Sequence, residues 1–321
     1  MLTFITFLKF EQAKINASLD KSISDMPEHL RPVAEHVISA GGKRLRPALA
    51  LASARLFGAV EDELYDMAAI PELIHAATLL HDDVLDGAET RRGKTAAHLV
   101  HGVPQSILAG DALLAMAHFK AASFGRPALL GCVSEAVIKT AEGEAHEMAR
   151  QRSLSHGYKE YIEIIAGKTG WLLSGACRLG ALYAGASEKE TDAVSEYGLN
   201  LGIAFQMVDD ALDFADESLT GKPTAGDLSE GKCTPPVMKY LDFLPSFERD
   251  AFRCKFKEGS FSKEEKRKIA ADIRRLGFDE ETKVQAEQFL DKAEQCLAGL
   301  PDRMERQVLR DALSFVRKRK I

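Results

Sequence analysis

The chain has 321 residues, of which 45% are hydrophobic and 28% are charged, as expected of a globular protein with a sizeable core. Its net charge of −6 and its pI of about 5.9 argue against nucleic-acid binding, which usually requires a basic face. The five cysteines are odd in number and widely spaced, so we expect reduced thiols in the cytoplasm. The apolar residues 1–10 lack the basic flank and the length of a targeting or membrane-spanning segment, so we expect no membrane anchor.

The predicted elements, in chain order, are helices. Apolar residues recur at three- and four-residue intervals, and alternating strand patterns are absent. A packed helix begins in MLTFITFLKF, and breaker-poor stretches predict long helices at 64–86, 104–122, 129–152 and 190–214. Ser262 followed by Glu265 predicts a capping box that opens a C-terminal helix. We therefore predict an all-α bundle in one domain over residues 1–321, with helices at 262–321 as scaffold.

Two similar groups of aspartates lie in apolar helices. LLHDDVLD contains Asp82, Asp83 and Asp86, and FQMVDDALD contains Asp209, Asp210 and Asp213. Residues one turn apart share a helix face, so each group is expected to direct its carboxylates into one space. Mg²⁺ is commonly held by one or two carboxylates together with phosphate oxygens. The repeated pattern predicts Mg²⁺ ions with a diphosphate between two facing helices.

Cationic and polar residues accompany both groups. Any one of them alone is typical of solvated surface, but together they favour binding of anions such as diphosphates. A tight glycine loop, GGKRLRP, supplies Lys43, Arg44 and Arg46, and Arg91 and Arg92 follow the first aspartates directly. His75 lies two turns before Asp82, where a core histidine is about as plausible as a phosphate ligand. The others are Lys168, Thr169, Gln206, Lys222 and Lys232.

The sequence resembles the trans-prenyltransferases, the isoprenyl diphosphate synthases, and among them the long-chain type. The resemblance rests on GGKRLRP, LLHDDVLD with RRGK, GDALL, KTG, FQMVDDALD and GKPTAGDLSEGKCT, in the family's order between about residues 40 and 240. It implies an all-α bundle around a deep central cavity, active as a homodimer, with the two aspartate helices facing each other at the cavity mouth. The proline that many members have after the lysine of RRGK is replaced by Thr95.

The resemblance also implies roles for individual residues. About three Mg²⁺ ions would bind the diphosphate of an allylic substrate, with metal ligands Asp82, Asp83, Asp86, Asp209 and Asp213. Those five, with Asp210 and Lys168, would be catalytic. The residues that would hold the allylic diphosphate directly are Arg91, Lys168, Thr169, Gln206, Lys222 and Lys232. The residues that would bind the second substrate, isopentenyl diphosphate, are Lys43, Arg46, His75 and Arg92. On this interpretation, the aspartates and arginines of 79–93 serve the substrates and not one another.

The implied reaction is a head-to-tail condensation. Metal and cationic groups stabilise the leaving diphosphate, an allylic cation forms, and the alkene of isopentenyl diphosphate attacks it. A terpene cyclase would need no second diphosphate site, and a non-catalytic subunit would usually have lost an aspartate group, whereas both are intact here. These two alternatives are therefore less favoured.

The length of the product is predicted from the residues just before the first aspartates. Short-chain members commonly place an aromatic residue four or five positions before the first aspartate, where this chain has Thr78 and Ala77. These small side chains lie roughly 6 to 8 Å below Asp82 and would leave a tunnel open, which predicts products of about C35 to C50. A short-chain synthase making farnesyl or geranylgeranyl diphosphate is the alternative. We expect Ala112, Ala115 and Met116 to line the tunnel and Phe119 to close it.

The basic C-terminal tail, Arg317 to Lys320, has two interpretations. It could fold over the site and add cations, but chain termini are usually poorly ordered, which favours a solvated tail.

Overall fold

A computed structural model describes residues 2–216 and 224–319 of the chain. This part is almost entirely helical, which confirms the predicted all-α class. None of its helices combines the length and the apolarity needed to cross a bilayer. Lys222, one of the predicted diphosphate ligands, lies outside the described residues.

The helices of the N-terminal half are α1 (Leu2–Ser24), α2 (Arg31–Ser39), α3 (Leu45–Leu56), α4 (Leu64–Leu85), α5 (Ala97–His101), α6 (Val103–Ser123) and α7 (Pro127–Arg150). Between α4 and α5 lies a short antiparallel hairpin of β1 (Thr90–Arg91) and β2 (Lys94–Thr95). The sequence predicted only a loop there, because a two-residue strand is too short to show alternation.

After α7 the chain continues with α8 (Tyr158–Ile165), a π-helical turn (Ala166–Gly170), α9 (Trp171–Ala184) and α10 (Glu188–Leu212). The C-terminal helices are α11 (Gly226–Glu230), α12 (Pro235–Phe243), α13 (Ser246–Glu258), α14 (Lys263–Leu276), α15 (Phe278–Cys296) and α16 (Met304–Arg317). The four predicted long helices are α4, α6, α7 and α10. The capping box at Ser262 and Glu265 is also confirmed, with both of its hydrogen bonds formed at the start of α14.

By its internal packing the chain divides into two compact units, described separately below. The first comprises Met1–Ile138, Leu172–Gly198 and Cys296–Ala312. The second comprises Lys139–Trp171, Leu199–Gln295 and Leu313–Ile321. The single domain over 1–321 stays a prediction.

In the first unit, α4 is the central helix. It contacts α1, α2, α3, α5 and α6, and its residues from Leu64 to Ile74 are buried on nearly every side. A helix that is apolar all round must be buried to be stable, which explains why this segment lies in the core. The C-terminal end of α4 reaches the surface, and the first aspartates lie there.

In the second unit, aromatic and aliphatic side chains of α12, α13 and α14 form a core together with Phe214 and Leu228. Close backbone contacts elsewhere in this unit depend on glycine. A Cβ on Gly167 would lie 2.5 Å from the Cα of Gly143, and one on Gly202 would lie 2.6 Å from the Cα of Gly170. Both contacts flank the π-helical turn, so the glycines let α7 and α10 approach it closely.

Candidate active site

The first aspartates do not share one environment. Asp82 is half-buried, Asp86 is exposed as the residue that caps the end of α4, and Asp83 is only 2% exposed. The Asp83 Oδ1 accepts a 2.8 Å hydrogen bond from Arg91 Nε and a second one from Arg91 Nη2. The expectation that these aspartates and arginines serve only the substrates is therefore wrong for this pair. The β1–β2 turn brings Arg91 back onto the helix.

His81, directly before Asp82, packs against α6. Its Nε2 lies 3.2 Å from the carbonyl oxygen of Ile107 and 3.5 Å from a carboxylate oxygen of Asp111. A Cβ on Gly110 would collide with the His81 ring, so only glycine allows this contact. The LLHDD and GDALL motifs thus meet and fix α4 against α6 beside the first aspartates.

The GGKRLRP loop contains two arginines, Arg44 and Arg46, and the first of them has a structural role. Arg44 adopts a left-handed backbone with φ +50° at the start of α3, and its guanidinium is buried. Its Nη1 lies 2.9 Å from Glu72 Oε1, and its Nη2 donates to the Ile38 carbonyl at 2.8 Å. Because its donors are used inside the protein, Arg44 is not available as a diphosphate ligand.

Arg46, His75 and Arg92 lie in one cationic cluster. Burial and the guanidinium groups of Arg46 and Arg92 hold the pKa of His75 well below its usual value. Burial also lowers the pKa of Arg46, and its Nε has no partner among the described residues. A Cβ on Gly42 would lie 2.9 Å from Arg92 Nη1, so glycine makes room for this side chain. Lys43 is exposed in the same loop. A cluster of cations of this kind favours the binding of an anion.

The second aspartates each have a different partner in the second unit. Asp209 forms an ion pair with Arg319. Asp210 is buried and accepts hydrogen bonds from Tyr161 Oη at 2.5 Å and Gln206 Nε2 at 2.8 Å. Asp213 accepts from the backbone N–H groups of α11, those of Gly226 at 3.1 Å and Asp227 at 3.0 Å. Burial raises the pKa of Asp210 to about 7 and also raises the pKa of Asp213.

Lys168 and Thr169 lie in the π-helical turn Ala166–Gly170. Short π-helical segments inside helices are frequent at functional sites. Here the Thr169 hydroxyl donates to Gln206 Oε1 at 2.9 Å, and Gln206 continues the chain of hydrogen bonds to Asp210. The structure therefore joins three predicted site residues, Thr169, Gln206 and Asp210, in one hydrogen-bond network.

Two of the three lysines predicted to bind the allylic diphosphate, Lys168 and Lys232, form ion pairs with glutamates. Lys168 Nζ lies 2.9 Å from Glu144 Oε2 and forms a second ion pair with Glu147, while Lys232 Nζ lies 4.0 Å from Glu147 Oε1. Burial opposes the charged state of both lysines, but Glu147 and its neighbours outweigh burial and raise both pKa values. Glu147 thus keeps both ammonium groups charged within reach of one anion.

A cavity of about 90 Å³ lies among these side chains. Its lining includes Lys168, Gln206, Asp210, Lys232 and Asp227. Asp227 lies in the GKPTAGDLSEGKCT motif, but no function was predicted for it from the sequence. It is 9% exposed, its Oδ2 has no partner among the described residues, and burial together with Asp213 and Asp210 raises its pKa well above the usual value. This cavity therefore combines lysines with buried carboxylates that repel one another.

Glu147 and Tyr161 were also missed. Glu144 and Glu147 lie about one turn apart on α7, a spacing that could have marked them, but such pairs are common on solvated helices. Tyr161 gave no signal in the sequence, because only the fold brings α8 beside Asp210.

No group of three or more His, Cys, Asp or Glu side chains within 2–216 and 224–319 is arranged to hold a metal ion. Mg²⁺, however, usually takes only one or two carboxylates and completes its shell with water and phosphate oxygens. The mutual repulsion of Asp210, Asp213 and Asp227 is the electrostatic setting that a cation relieves. The donor set therefore fits Mg²⁺ bound together with a diphosphate.

The expectation of a solvated C-terminal tail is wrong for Arg317 and Arg319, whereas Lys318 is exposed. Arg317 pairs with Glu287 at 2.8 Å, with Asp291 at 2.6 Å and with Glu294 at 3.2 Å, all on α15. The Arg319 guanidinium lies over the Phe205 ring, 4.4 Å from its centroid, and pairs with Asp209. Ion pairs therefore anchor Arg317 and Arg319, and the partner of Arg319 is a predicted metal ligand.

The residues predicted to set the chain length are small and lie inside the first unit. Ala77 is fully buried, and Thr78 is half-buried with its hydroxyl donating to the His75 carbonyl at 3.0 Å. Phe119, expected to close a tunnel, is 70% exposed, and Ala115 is exposed as well. Within one chain, the expected floor is therefore not formed by Phe119, because that face of α6 points outward.

The chain is similar to known proteins over most of its length. The polyprenyl synthetase family model matches residues 27–273. A short chain isoprenyl diphosphate synthase of Methanothermobacter thermautotrophicus is 38% identical over 256 residues, covering 78% of this chain and 79% of the relative.

Two crystal structures are also similar. A decaprenyl diphosphate synthase from Rhodobacter capsulatus has a TM-score of 0.90 at 36% identity, covering 97% of each chain. A polyprenyl synthase from Caulobacter crescentus CB15, complexed with calcium and isoprenyl diphosphate, has a TM-score of 0.91 at 36% identity, covering 99% of this chain and 98% of that one. The two aspartate groups, the cationic clusters beside them and these likenesses lead to one conclusion: the chain belongs to the polyprenyl synthetase family and is a prenyltransferase.

Proposed function

We propose that the chain is a Mg²⁺-dependent trans-polyprenyl diphosphate synthase that condenses isopentenyl diphosphate with an allylic diphosphate. The observation that carries the proposal is the presence of two separate cationic clusters. One consists of Arg46, His75 and Arg92, and the other of Lys168 and Lys232. A reaction between two diphosphates needs two anion sites, whereas a terpene cyclase needs one.

Isopentenyl diphosphate is proposed to bind the first cluster. The guanidinium groups of Arg46 and Arg92 match phosphate oxygens in geometry and stay charged at any physiological pH. His75, kept neutral by its surroundings, offers a hydrogen-bond donor without further repulsion. Lys43 in the adjacent loop completes the set.

The allylic diphosphate is proposed to bind Lys168, Lys232, Thr169 and Gln206, with Lys222 and Arg91 assigned by resemblance alone. Mg²⁺, held by Asp82, Asp83, Asp86, Asp209 and Asp213, would neutralise the diphosphate charge that develops on departure. The similar Caulobacter structure holds calcium, which supports a divalent cation here. In the structure, Asp83 is paired with Arg91, so ligation by Asp83 would require that pair to open.

The chemistry proposed for the bound substrates has three steps. The allylic C–O bond breaks and its electron pair leaves with the diphosphate, whose charge Lys168 and Lys232 stabilise. The alkene of isopentenyl diphosphate attacks the allylic cation and forms the new C–C bond. Loss of a proton, to the departed diphosphate, gives a product longer by one isoprene unit. Asp210 orients Gln206 through their 2.8 Å hydrogen bond.

We infer a long-chain product of about C35 to C50, since small residues precede the first aspartates at the spacing given above. Ala77 and Thr78 leave space where a ring would block a tunnel. The similar enzymes include both a short-chain and a decaprenyl synthase, so the length is argued from these residues alone.

A homodimer is proposed from an exposed apolar face. Val103, Ile107, Leu108 and Phe119 on α6 are 43%, 40%, 54% and 70% exposed in the single chain. Large apolar patches of this kind commonly mark a protein interface. A second copy of the chain is the partner that the family resemblance implies.

A cytoplasmic location is proposed from the cysteines. All five are free in the described part of the chain, three of them buried, as expected of thiols kept reduced.

The direct test uses the purified chain with Mg²⁺, farnesyl diphosphate and isopentenyl diphosphate. Chromatography of the dephosphorylated products should show chains of about C35 to C50. Products limited to twenty carbons, one unit longer than the farnesyl diphosphate supplied, would refute the long-chain proposal and favour a short-chain synthase. Absence of turnover would favour a non-catalytic subunit, and consumption of farnesyl diphosphate alone would favour a cyclase.

The chain-length residues are tested by Ala77→Phe and, at the less tightly packed neighbouring position, Thr78→Phe. A ring at either position should shorten the product by several isoprene units, because it fills the space roughly 6 to 8 Å below Asp82. Ser39→Phe, at the exposed end of α2, is the control and should leave product length unchanged. If neither ring shortens the product, these residues do not line the tunnel.

A further inference from the structure

The loop that carries Lys232 is held at both ends by side chains. Its one-turn helix α11 is capped at the N-terminus by Asp213, which accepts from the N–H groups of Gly226 and Asp227. Lys232 follows shortly after the C-terminal end, and its backbone N–H donates to the Asp227 carbonyl at 2.8 Å. The position of Lys232 therefore depends on what holds the C-terminal end of α11.

Gln151 and Arg152 hold that end. Three consecutive carbonyl groups accept hydrogen bonds from them: Ser229 O from Arg152 Nη2 at 3.0 Å, Glu230 O from Gln151 Nε2 at 2.9 Å, and Gly231 O from the Arg152 backbone N–H at 2.8 Å. A helix of one turn satisfies few of its own carbonyls, so outside donors are needed here. No catalytic role described above involves either residue.

The fit around Arg152 is close. Its backbone is left-handed, with φ +59°, a conformation that is unusual outside glycine. A Cβ on Gly231 would lie 2.5 Å from Arg152 Cγ, and one on Gly259 would collide with Arg152 Nη1. Arg152 Nη1 also lies 3.4 Å from the Phe256 carbonyl of α13. The side chain thus lies between the loop and the end of α13, with glycines on both sides making room for it.

We infer that Arg152 is a positioning residue for the allylic diphosphate site, acting through α11 to place Lys232 and Asp227 in the cavity. The inference rests on the proposed function. Lys232 contacts the substrate on that proposal, whereas Arg152 contacts the loop and the end of α13. Loss of the guanidinium should therefore weaken binding of the allylic diphosphate and leave the isopentenyl diphosphate site, in the first unit, unaffected.

Arg152→Gly is the sharpest variant, because glycine accepts the left-handed backbone and keeps the main-chain bond to Gly231. It should raise the KM for farnesyl diphosphate about tenfold, the loss expected for a charged hydrogen-bond donor. The KM for isopentenyl diphosphate should stay within about twofold of wild type. Arg152→Lys keeps the positive charge but lacks the several N–H donors of the guanidinium, so its KM for farnesyl diphosphate should lie between those of the wild type and Arg152→Gly. Arg253→Gln, on α13, is the control and should change neither KM, because Arg253 pairs with the exposed Asp250.

The split between the two KM values separates positioning from general destabilisation, which would lower turnover without favouring one substrate. Unchanged KM values for Arg152→Gly in an active enzyme would overturn the inference and leave the proposed function standing.

If the wild type shows no turnover, calorimetric titration with inorganic pyrophosphate and Mg²⁺ replaces the kinetics. Weaker binding to Arg152→Gly would then support the inference, and equal binding, or none to the wild type, would overturn it.

Discussion

The aspartates at the end of α4 and those at the end of α10 share a sequence pattern but not an environment. In the first region, the innermost carboxylate, Asp83, is neutralised by Arg91, which lies only eight residues further along the chain. In the second region, Asp210 and Asp213 accept hydrogen bonds from neutral groups, and Asp227 adds a third buried carboxylate. The first region therefore pairs its innermost carboxylate with an arginine, whereas the second groups three carboxylates whose mutual repulsion a cation would relieve.

This difference shows that one motif can be built in two ways. Around Asp83 the charge balance is local, because a tight hairpin returns an arginine to the helix. Around the second aspartates it depends on distant residues, since Tyr161 donates a hydrogen bond to Asp210 and Arg319 pairs with Asp209. A buried carboxylate without a counter-charge is costly, so the second region is expected to respond more strongly to Mg²⁺ and diphosphate.

The largest effect is expected on kcat, when the predicted metal ligand Asp82 of the first region or Asp209 of the second is replaced. Asp82→Asn and Asp209→Asn should each lower kcat roughly a thousandfold, about 4 kcal/mol of transition-state stabilisation, if both carboxylates bind the metal. Steady-state assays at saturating Mg²⁺ measure this, with the exposed Glu89→Gln as a control of unchanged activity. A variant that keeps more than about a tenth of the activity would remove that aspartate from the metal site.

Substitution of the innermost aspartates, Asp83 in the first region and Asp210 in the second, should affect the free energy of unfolding differently. Asp83→Asn should lower the free energy of unfolding by about 1 to 2 kcal/mol, because Arg91 loses its buried partner. Asp210→Asn should change it by less than about 0.5 kcal/mol, since a carboxyl with a pKa of about 7 is partly protonated at neutral pH and an amide resembles it. Urea unfolding at pH 7 compares the two. A larger loss for Asp210→Asn would reverse the contrast drawn here.

A pH dependence of stability is expected from the cationic cluster of the first region. The folded-state pKa of His75 is depressed, so its contribution is complete above the unfolded value of about 6.5. Below that, the unfolded chain takes up a proton that the folded chain does not, and the free energy of unfolding falls by up to about 1.4 kcal/mol per pH unit.

His75→Asn should flatten this part of the profile, measured by urea unfolding between about pH 7 and pH 5. His29→Asn, at an exposed position, should not. If His75→Asn leaves the slope unchanged, His75 does not bear the repulsion of Arg46 and Arg92.

The smallest effect is expected at the tail. Arg319 pairs with Asp209 and so competes with a metal ion for that carboxylate. Because partly exposed ion pairs contribute about 1 kcal/mol at most, Arg319→Ala should lower the Mg²⁺ concentration for half-maximal activity by no more than about fivefold. Lys318→Ala, at an exposed position, is the matched control. An increased Mg²⁺ requirement would instead indicate that Arg319 assists the bound diphosphate.

Much of the fold could be predicted because the signals are local. The apolar spacing of α4, α6, α7 and α10 and the capping box at Ser262 depend on neighbours within a few residues. The hairpin could not be predicted, since two residues per strand carry no pattern. Phe119 was misplaced for a related reason, as an apolar residue on a helix does not reveal whether it faces the core or the outside.

The sequence alone determined the all-α class, the two aspartate groups and most of the cations beside them, because residue type and helical spacing suffice for these. Only the tertiary structure decided which charges meet. It paired Asp83 with Arg91, joined Lys168 and Lys232 through Glu147, added Asp227 to the second aspartates and brought Arg319 to Asp209. Most of these contacts join residues far apart in the chain, and the close pair Asp83–Arg91 depends on the hairpin between them. The free energy of a charge depends on the burial and partners that the folded chain supplies.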